Sequence, residues 1–188
     1  MKLLRAELLK LTTLPAIWFT IVGTWAVTVL LAAAAPDVRS ALYGPVLAGF
    51  LILGLISATS EYQGGQIRTT LIAAPRRIPT YAAKLEALVV ITLPAAAATV
   101  TLGAVVSGEL EAKAVGYFVF TTVIAHAIGS LTRRTIPALV ALLTYYFIAG
   151  PLLQDRLSFP DGRNWYAVLP CAIVATSVGL IVFRNRDA

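Results

Sequence analysis

Long uninterrupted runs of hydrophobic residues, separated by short polar segments, fill most of this sequence. A transmembrane helix needs about 20 predominantly apolar residues, with roughly 17–25 tolerated. The runs show no alternation with a period of two, which excludes a transmembrane β-barrel and leaves helices as the spanning structure. The pattern predicts six membrane-spanning helices: Leu14–Ala35, Leu42–Thr59, Leu85–Ser107, Ala114–Leu131, Ile136–Leu153 and Trp165–Phe183.

The composition supports lipid as the solvent of most of the chain. Of the 188 residues, 59% are hydrophobic and 13% are charged, whereas a soluble domain carries about 25% charged residues. We predict an all-α polytopic membrane protein with one transmembrane domain over residues 1–188, an N-terminal interfacial helix at 1–13 and a cytoplasmic loop at 60–84. Thr80 is expected to cap the helix that enters the third span, and Thr135 the fifth span.

Basic residues concentrate in alternate connections between the predicted spans. Eleven lie before the first span, between the second and third, between the fourth and fifth, and after the sixth: Lys2, Arg5, Lys10, Arg68, Arg76, Arg77, Lys84, Arg133, Arg134, Arg184 and Arg186. The opposite side holds four: Arg39, Lys113, Arg156 and Arg163. The positive-inside rule predicts that both termini are cytoplasmic, in the plasma membrane. Because the charge of +6 is spread between spans, it indicates topology and not nucleic-acid binding.

Residues that could support catalysis or hold a cofactor are scarce. No Gly-Lys pair occurs, so a phosphate-binding P-loop is absent, and one His with one Cys cannot build a zinc site. We predict no cofactor, no metal and no enzymatic activity in this chain, which disfavours an intramembrane enzyme. The ionisable residues within the predicted spans are Glu86 and His126. Both lie near cytoplasmic ends, so we expect satisfied or snorkelling side chains instead of a proton relay.

The N-terminal segment has the spacing of an amphipathic helix. Leu4, Leu8 and Leu11 fall on one stripe, whereas Arg5 and Lys10 lie elsewhere on the helix. We predict a helix lying in the membrane interface before the chain enters the first span. The alternative is a basic flank that only sets orientation.

The connection between the second and third predicted spans contains strong helix-breaking signals. Gly64 and Gly65 should end the helix that continues from the second span, and residues 66–73 can form a short amphipathic helix that Pro75 stops. If this connection only set the topology through its arginines, it would not need the glycine pair, the short apolar face or the prolines. We predict a protruding element that docks a soluble partner through Glu61, Tyr62, Gly64, Gly65, Gln66, Ile67, Arg68, Thr70, Leu71, Pro75, Arg76 and Arg77.

This loop, closed by Lys84, resembles that of the permease subunits of ABC-2 type ABC exporters, particularly the small actinobacterial kind. The N-terminal L-R-A-E-L-L-K-L-T-T resembles the elbow helix of that family, and F-R-N-R-D-A its C-terminal tail. The resemblance implies a permease that forms a homo- or heterodimer in the lipid bilayer. Each copy would dock an ABC ATPase subunit, which binds the ATP, and would export a substrate. The alternative is a non-transporting membrane assembly or immunity protein on the same scaffold, which compact outer loops would favour.

Overall fold

The computed structural model describes residues 2–34, 37–63, 77–149, 152 and 168–186. Every regular element within these residues is helical, as predicted. The α-helices are α1 (Lys2–Thr13), α2 (Pro15–Ala34), α3 (Val38–Ala41), α4 (Leu47–Gln63), α5 (Arg77–Ser107), α6 (Lys113–Thr132), α7 (Thr135–Thr144) and α8 (Val168–Arg186). Two π-helical turns, Leu42–Val46 and Tyr145–Ala149, join α3 to α4 and extend α7.

Four helical stretches within the described residues are long and apolar enough to cross a membrane: Pro15–Ala34, Val38–Tyr62, Ile78–Ser107 and Lys113–Thr132. They correspond to the first four predicted spans and indicate a multi-pass membrane protein. Two shorter apolar helices, Thr135–Ala149 and Val168–Phe183, lie where the fifth and sixth spans are predicted. Each of these two predicted spans extends beyond the described residues, so a total of six stays a prediction.

The helices extend beyond the apolar runs at the loop that joins α4 to α5. α4 continues to Gln63 and α5 begins at Arg77, whereas the apolar runs end at Thr59 and begin at Leu85. Helical backbone satisfies its own hydrogen bonds in water as well as in lipid, so a helix need not end where hydrophobicity does. Thr80 consequently lies inside α5, and its predicted role as a cap is wrong.

Thr135 is also misassigned by the sequence pattern. It is the first residue of α7, and the cap position belongs to Arg134, which makes no side-chain capping bond. The Thr135 hydroxyl instead lies 2.7 Å from the hydroxyl of Thr59 on α4. The hydroxyl therefore joins two helices.

A kink separates α3 from α4. Gly44 has non-helical dihedral angles of φ −99° and ψ −113°, and Pro45 follows it. Proline lacks an N–H donor and restricts the residue before it, so this pair disrupts the regular helical ladder. The predicted second span, Leu42–Thr59, therefore belongs to a longer helical stretch that begins at Val38 and contains a kink.

Helix α4 packs closely against α6. A Cβ atom on Gly54 would lie 2.3 Å from the Thr122 carbonyl oxygen and 2.8 Å from the Ala125 Cβ atom. Glycine is therefore required for the observed distance between these helices. Phe50 and Phe118 stack next to this contact, with ring centroids 4.4 Å apart. Both rings belong to the larger hydrophobic core.

The apolar stripe of α1 packs against other helices of the chain. Leu11 is buried, and Leu4 and Leu8 are partly buried beside a core that includes Leu53 of α4 and Leu88 of α5. Arg5 is exposed. The stripe therefore stabilises the attachment of α1 to the bundle.

Candidate functional site

Four charged side chains from three helices meet where α4 ends and α5 begins. Lys10 of α1 donates a hydrogen bond to Glu61 of α4 at 2.7 Å, and Lys84 of α5 is ion-paired with the same carboxylate. Glu7 of α1 lies 3.6 Å from the Lys10 Nζ atom and 3.8 Å from the Lys84 Nζ atom. We call these four residues the ion cluster.

Three of the four side chains of the ion cluster are buried, Lys10 is partly exposed, and the cluster is electrically balanced. Glu61 is 4% exposed and Lys84 is 9% exposed. Two carboxylates face two ammonium groups, so each charge has a partner of opposite sign. Burying a charge is costly unless it is paired and hydrogen-bonded, and removing one partner of a buried pair typically costs about 3–5 kcal/mol. The arrangement therefore constrains α1, α4 and α5 relative to one another.

The cluster contains residues that the sequence assigns to separate elements. Lys10 belongs to the predicted interfacial helix, whereas Glu61 and Lys84 bracket the predicted docking loop. Glu7 was not singled out. Its signal is its position, because Glu7 shares a helix face with Leu4 and Leu11. A carboxylate on a stripe that packs against other helices needs a basic partner there.

Most of the predicted docking loop lies outside the described residues. This part comprises Gly64, Gly65, Gln66, Ile67, Arg68, Thr70, Leu71, Pro75 and Arg76. Arg77 begins α5. Tyr62 is described, and the guanidinium carbon of Arg133 lies 5.2 Å from its ring centroid. The docking role of the loop stays a prediction.

His126 lies next to the ion cluster, on α6. It is 3% exposed, and its Nδ1 atom lies 2.8 Å from the Ser57 Oγ atom. The Ser57 Oγ atom also lies 2.7 Å from the carbonyl oxygen of Gly54, so the Ser57 hydroxyl has hydrogen-bond partners on both sides. The ring is therefore buried with a hydrogen-bond partner, as a satisfied core histidine should be. Glu86, the other ionisable residue of the predicted spans, is exposed.

A small cavity lies between His126 and the ion cluster. It involves α8 as well, because Phe183 packs against Tyr81 with ring centroids 5.6 Å apart. The C-terminal part of α8 therefore lies at the same end of the bundle as α1. The cavity is lined by Ser57, Ala58, Glu61, Tyr62, Tyr81, Lys84, His126, Ser130 and Phe183.

A separate ion pair lies elsewhere in the bundle. Arg39, at the start of α3, pairs with Glu111, between α5 and α6. The distribution of basic residues predicts that both residues lie on the outer side, opposite the side of the ion cluster. The residues of the ion cluster and the residues of this ion pair therefore come from connections that the predicted topology assigns to opposite sides of the membrane.

The chemistry that these residues support is attachment between helices. Within the described ranges, no group of three or more His, Cys, Asp or Glu side chains could hold a metal ion. The side chains of the ion cluster pair with one another, and His126 pairs with Ser57. The cluster is therefore a mechanical connection between helices.

Comparisons with known proteins found no matching family model, no matching characterised protein and no matching solved structure. The resemblance to ABC-2 permeases accordingly rests on the sequence residues given above.

Proposed function

We propose that this chain is the membrane-spanning permease subunit of an ATP-driven ABC-2 type exporter. A separate ATPase subunit docks on the loop between α4 and α5, and a second permease subunit completes the transporter in the plasma membrane. The observation that supports this proposal most directly is the ion cluster. It joins both stems of the loop to α1, so displacement of the loop moves three helices together.

Further support comes from the position of α1, the α4–α5 loop and the C-terminal part of α8 at the same end of the bundle. Lys10, Glu61 and Lys84 meet in one cluster, and Phe183 of α8 lines the adjoining cavity. Six spans with both termini cytoplasmic require this arrangement, because an even number of crossings returns the chain to the side where it began.

Motion of the loop would reach the rest of the bundle through the contact between α4 and α6. At Gly54 the two backbones are too close for α4 to shift without moving α6. ATP-driven closure of the docked subunits would therefore be transmitted from the loop to α4, and from α4 to α6. The sequence has no Gly-Lys pair for a P-loop, so the energy comes from the partner.

The test is association with an ABC ATPase, which should be sought first among the genes adjacent to the one that encodes this chain. We expect Ile67→Asp to abolish co-purification and stimulation of ATP hydrolysis, because it places a charge on the apolar face of the short helix that the sequence predicts at residues 66–73. Leu110→Asp is the matched control, because Leu110 is exposed between α5 and α6, on the predicted outer side. This control should leave association unchanged.

Undiminished co-purification of the ATPase with the Ile67→Asp protein would contradict docking through the loop. Association that leaves ATP hydrolysis unaffected by the permease would instead favour a non-transporting assembly or immunity protein.

A further inference from the structure

A second cavity, with a volume of about 330 Å³, lies between α6, α7 and α8. Aliphatic side chains of α6 and α7 line it, together with two tyrosines of the π-helical turn that extends α7 and the single cysteine of the chain, on α8. They include Ile124, Ile128, Leu142, Tyr145, Tyr146 and Cys171. None of the lining side chains carries a charge. A mostly apolar cavity of this size, with a few polar groups, is typical of ligand sites in proteins.

This cavity lies about halfway across the predicted membrane. Tyr145 follows Arg134 by 11 residues along α7, which corresponds to about 16 Å at the helical rise of 1.5 Å per residue. Cys171 precedes Phe183 by 12 residues along α8, or about 18 Å. Arg134 and Phe183 belong to the end of the bundle that is predicted to be cytoplasmic. Because the hydrocarbon core is about 30 Å thick, both helices place the cavity near its centre.

The surroundings of the cavity favour a hydrocarbon chain as its occupant. Ala141 and Cys171 line the cavity and are exposed, so it opens towards the lipid. An apolar cavity does not hold water, which needs polar partners. An empty cavity would leave its lining without van der Waals contacts on one side. A lipid acyl chain supplies those contacts.

Arginines lie at the predicted cytoplasmic end of the helices that form the cavity. Arg134, directly before α7, is exposed, and the structure shows no ion pair between its guanidinium group and any residue it describes. The preceding Arg133 instead contacts the ring of Tyr62. The last turn of α8 contains Arg184 and Arg186. A guanidinium group can bind phosphate through two parallel hydrogen bonds, and basic sites between helices on the cytoplasmic side bind anionic headgroups.

The end of α8 lies close to the start of α7. A Cβ atom on Gly179 of α8 would lie 3.5 Å from the Oγ atom of Ser130 of α6. Ser130 belongs to the last turn of α6, and α7 begins at Thr135. The arginines before α7 and at the end of α8 therefore share one end of the cavity-forming helices.

We propose that α6, α7 and α8 bind one anionic phospholipid of the surrounding bilayer. Arg134 holds its phosphate group, and one acyl chain extends into the cavity. The distance between Arg134 and the cavity is about half the thickness of the hydrocarbon core, which is the depth that an acyl chain spans in its own leaflet. This lipid is a bound component of the protein and not its substrate. The proposal goes beyond the proposed function, because binding requires neither an ATPase nor transport.

The experiment measures lipid retained by the full-length protein, by native mass spectrometry, after extraction into mild detergent from bilayers of equal phosphatidylglycerol and phosphatidylcholine content. The unmodified chain should retain one phosphatidylglycerol per chain. Arg134→Ala should lower this retention about fivefold, the usual effect of one basic residue near an anionic membrane surface. Arg134→Lys should keep most of it. Lys113→Ala, the control, removes an exposed charge at the opposite end of α6 and should leave retention unchanged.

A second variant tests the acyl chain separately. Ala141→Trp fills the cavity and should abolish retention of both lipids. Val140→Trp is its matched control, because Val140 is exposed on α7 without lining the cavity. Added phosphatidylglycerol should raise the melting temperature of the unmodified chain and of the Val140→Trp protein, since a ligand stabilises the state that binds it. It should not raise that of the Ala141→Trp protein.

Four outcomes would overturn the proposal. Phosphatidylglycerol retention that neither Arg134→Ala nor Ala141→Trp lowers would place the lipid elsewhere. Equal retention of the two lipids by the unmodified chain would exclude recognition of the headgroup. A disulfide between the Cys171 residues of two chains, formed with a membrane-permeant oxidant, would show that a second copy covers the cavity. Release of the bound lipid into the opposite leaflet during ATP hydrolysis by a docked ATPase would make it a substrate.

Discussion

At the scale of single residues, Glu61 joins α4 to both α1 and α5. Its two carboxylate oxygens accept hydrogen bonds from different helices, Oε1 from Lys10 of α1 and Oε2 from Lys84 of α5. Glu7 contacts the same ammonium groups at longer distances. Loss of Glu61 would therefore weaken two connections at once and leave two buried or half-buried cations with one carboxylate.

We predict that Glu61→Gln lowers the free energy of unfolding by about 3 kcal/mol, at the lower end of the effect of breaking a buried ion pair, because Glu7 remains near both lysines. Thermal or denaturant unfolding in detergent micelles would measure the change. Glu86→Gln is the matched control: Glu86 is exposed on α5, and its loss should cost about 0.5 kcal/mol or less. Equal stability losses in the two variants would contradict a special role for Glu61.

At the scale of the elements, small residues set the distance between α4 and α6. Gly54 and Ala58 lie one turn apart on α4, and Ala125 and Gly129 lie one turn apart on α6. A Cβ atom on Gly129 would lie 3.0 Å from the Ala58 Cβ atom, and one on Gly54 would lie 2.8 Å from the Ala125 Cβ atom. The two pairs of small residues therefore face each other, which permits close helix packing in lipid.

We predict that Gly54→Ala lowers the free energy of unfolding by about 1–3 kcal/mol, because the added methyl group overpacks the contact with the backbone of Thr122. Gly23→Ala on α2 is the matched control. A Cβ atom there meets nothing within 4 Å, and alanine is the better helix former. Melting temperatures of the two proteins in the same detergent should move in opposite directions. If Gly54→Ala left the free energy of unfolding unchanged, α4 and α6 could move apart without loss of stability.

The hydrophobic pattern predicts the helices better than it predicts their ends or contacts. Lys113–Thr132 departs by one residue at each end from the predicted fourth span, because polar residues border that apolar run closely. α5 begins eight residues before the predicted third span, because its first two turns are helical without being mainly apolar. The hydropathy of a segment gives no signal for the part of a helix that continues beyond the lipid.

The ion cluster could be predicted only in part. The sequence pattern draws attention to Lys10, Glu61 and Lys84, but it predicts each of them in a water-exposed or interfacial segment, where charge is normally solvated. Their burial depends on α1 folding back against α4 and α5, a tertiary contact with no local signal in the sequence. The facing pairs of Gly54 with Ala58 and Ala125 with Gly129 had a local signal, since their four-residue spacing is visible in the sequence. Which helices would face each other was not visible.

At the scale of the whole molecule, the contacts show which connections share an end of the helical bundle. Lys10, Glu61 and Lys84 form one cluster, and the Arg133 side chain contacts Tyr62 nearby. Arg39 and Glu111 form their pair in the connections that the topology assigns to the opposite side. The alternating pattern of basic residues predicts that the side with the ion cluster is cytoplasmic.

We therefore predict that single cysteines at Gln63 and Arg134 resist a membrane-impermeant maleimide added outside intact cells, whereas a cysteine at Leu110 reacts. The background must carry Cys171→Ala, because Cys171 is exposed and would react itself. Permeabilised cells provide the control, since all three cysteines should then be labelled. Labelling of the cysteine at Gln63 from outside would reverse the orientation and place the predicted docking loop where no ATPase could reach it. Labelling of the cysteines at Leu110 and Gln63 from the same side would contradict the helical crossing itself, because α5 separates those two positions by its full length.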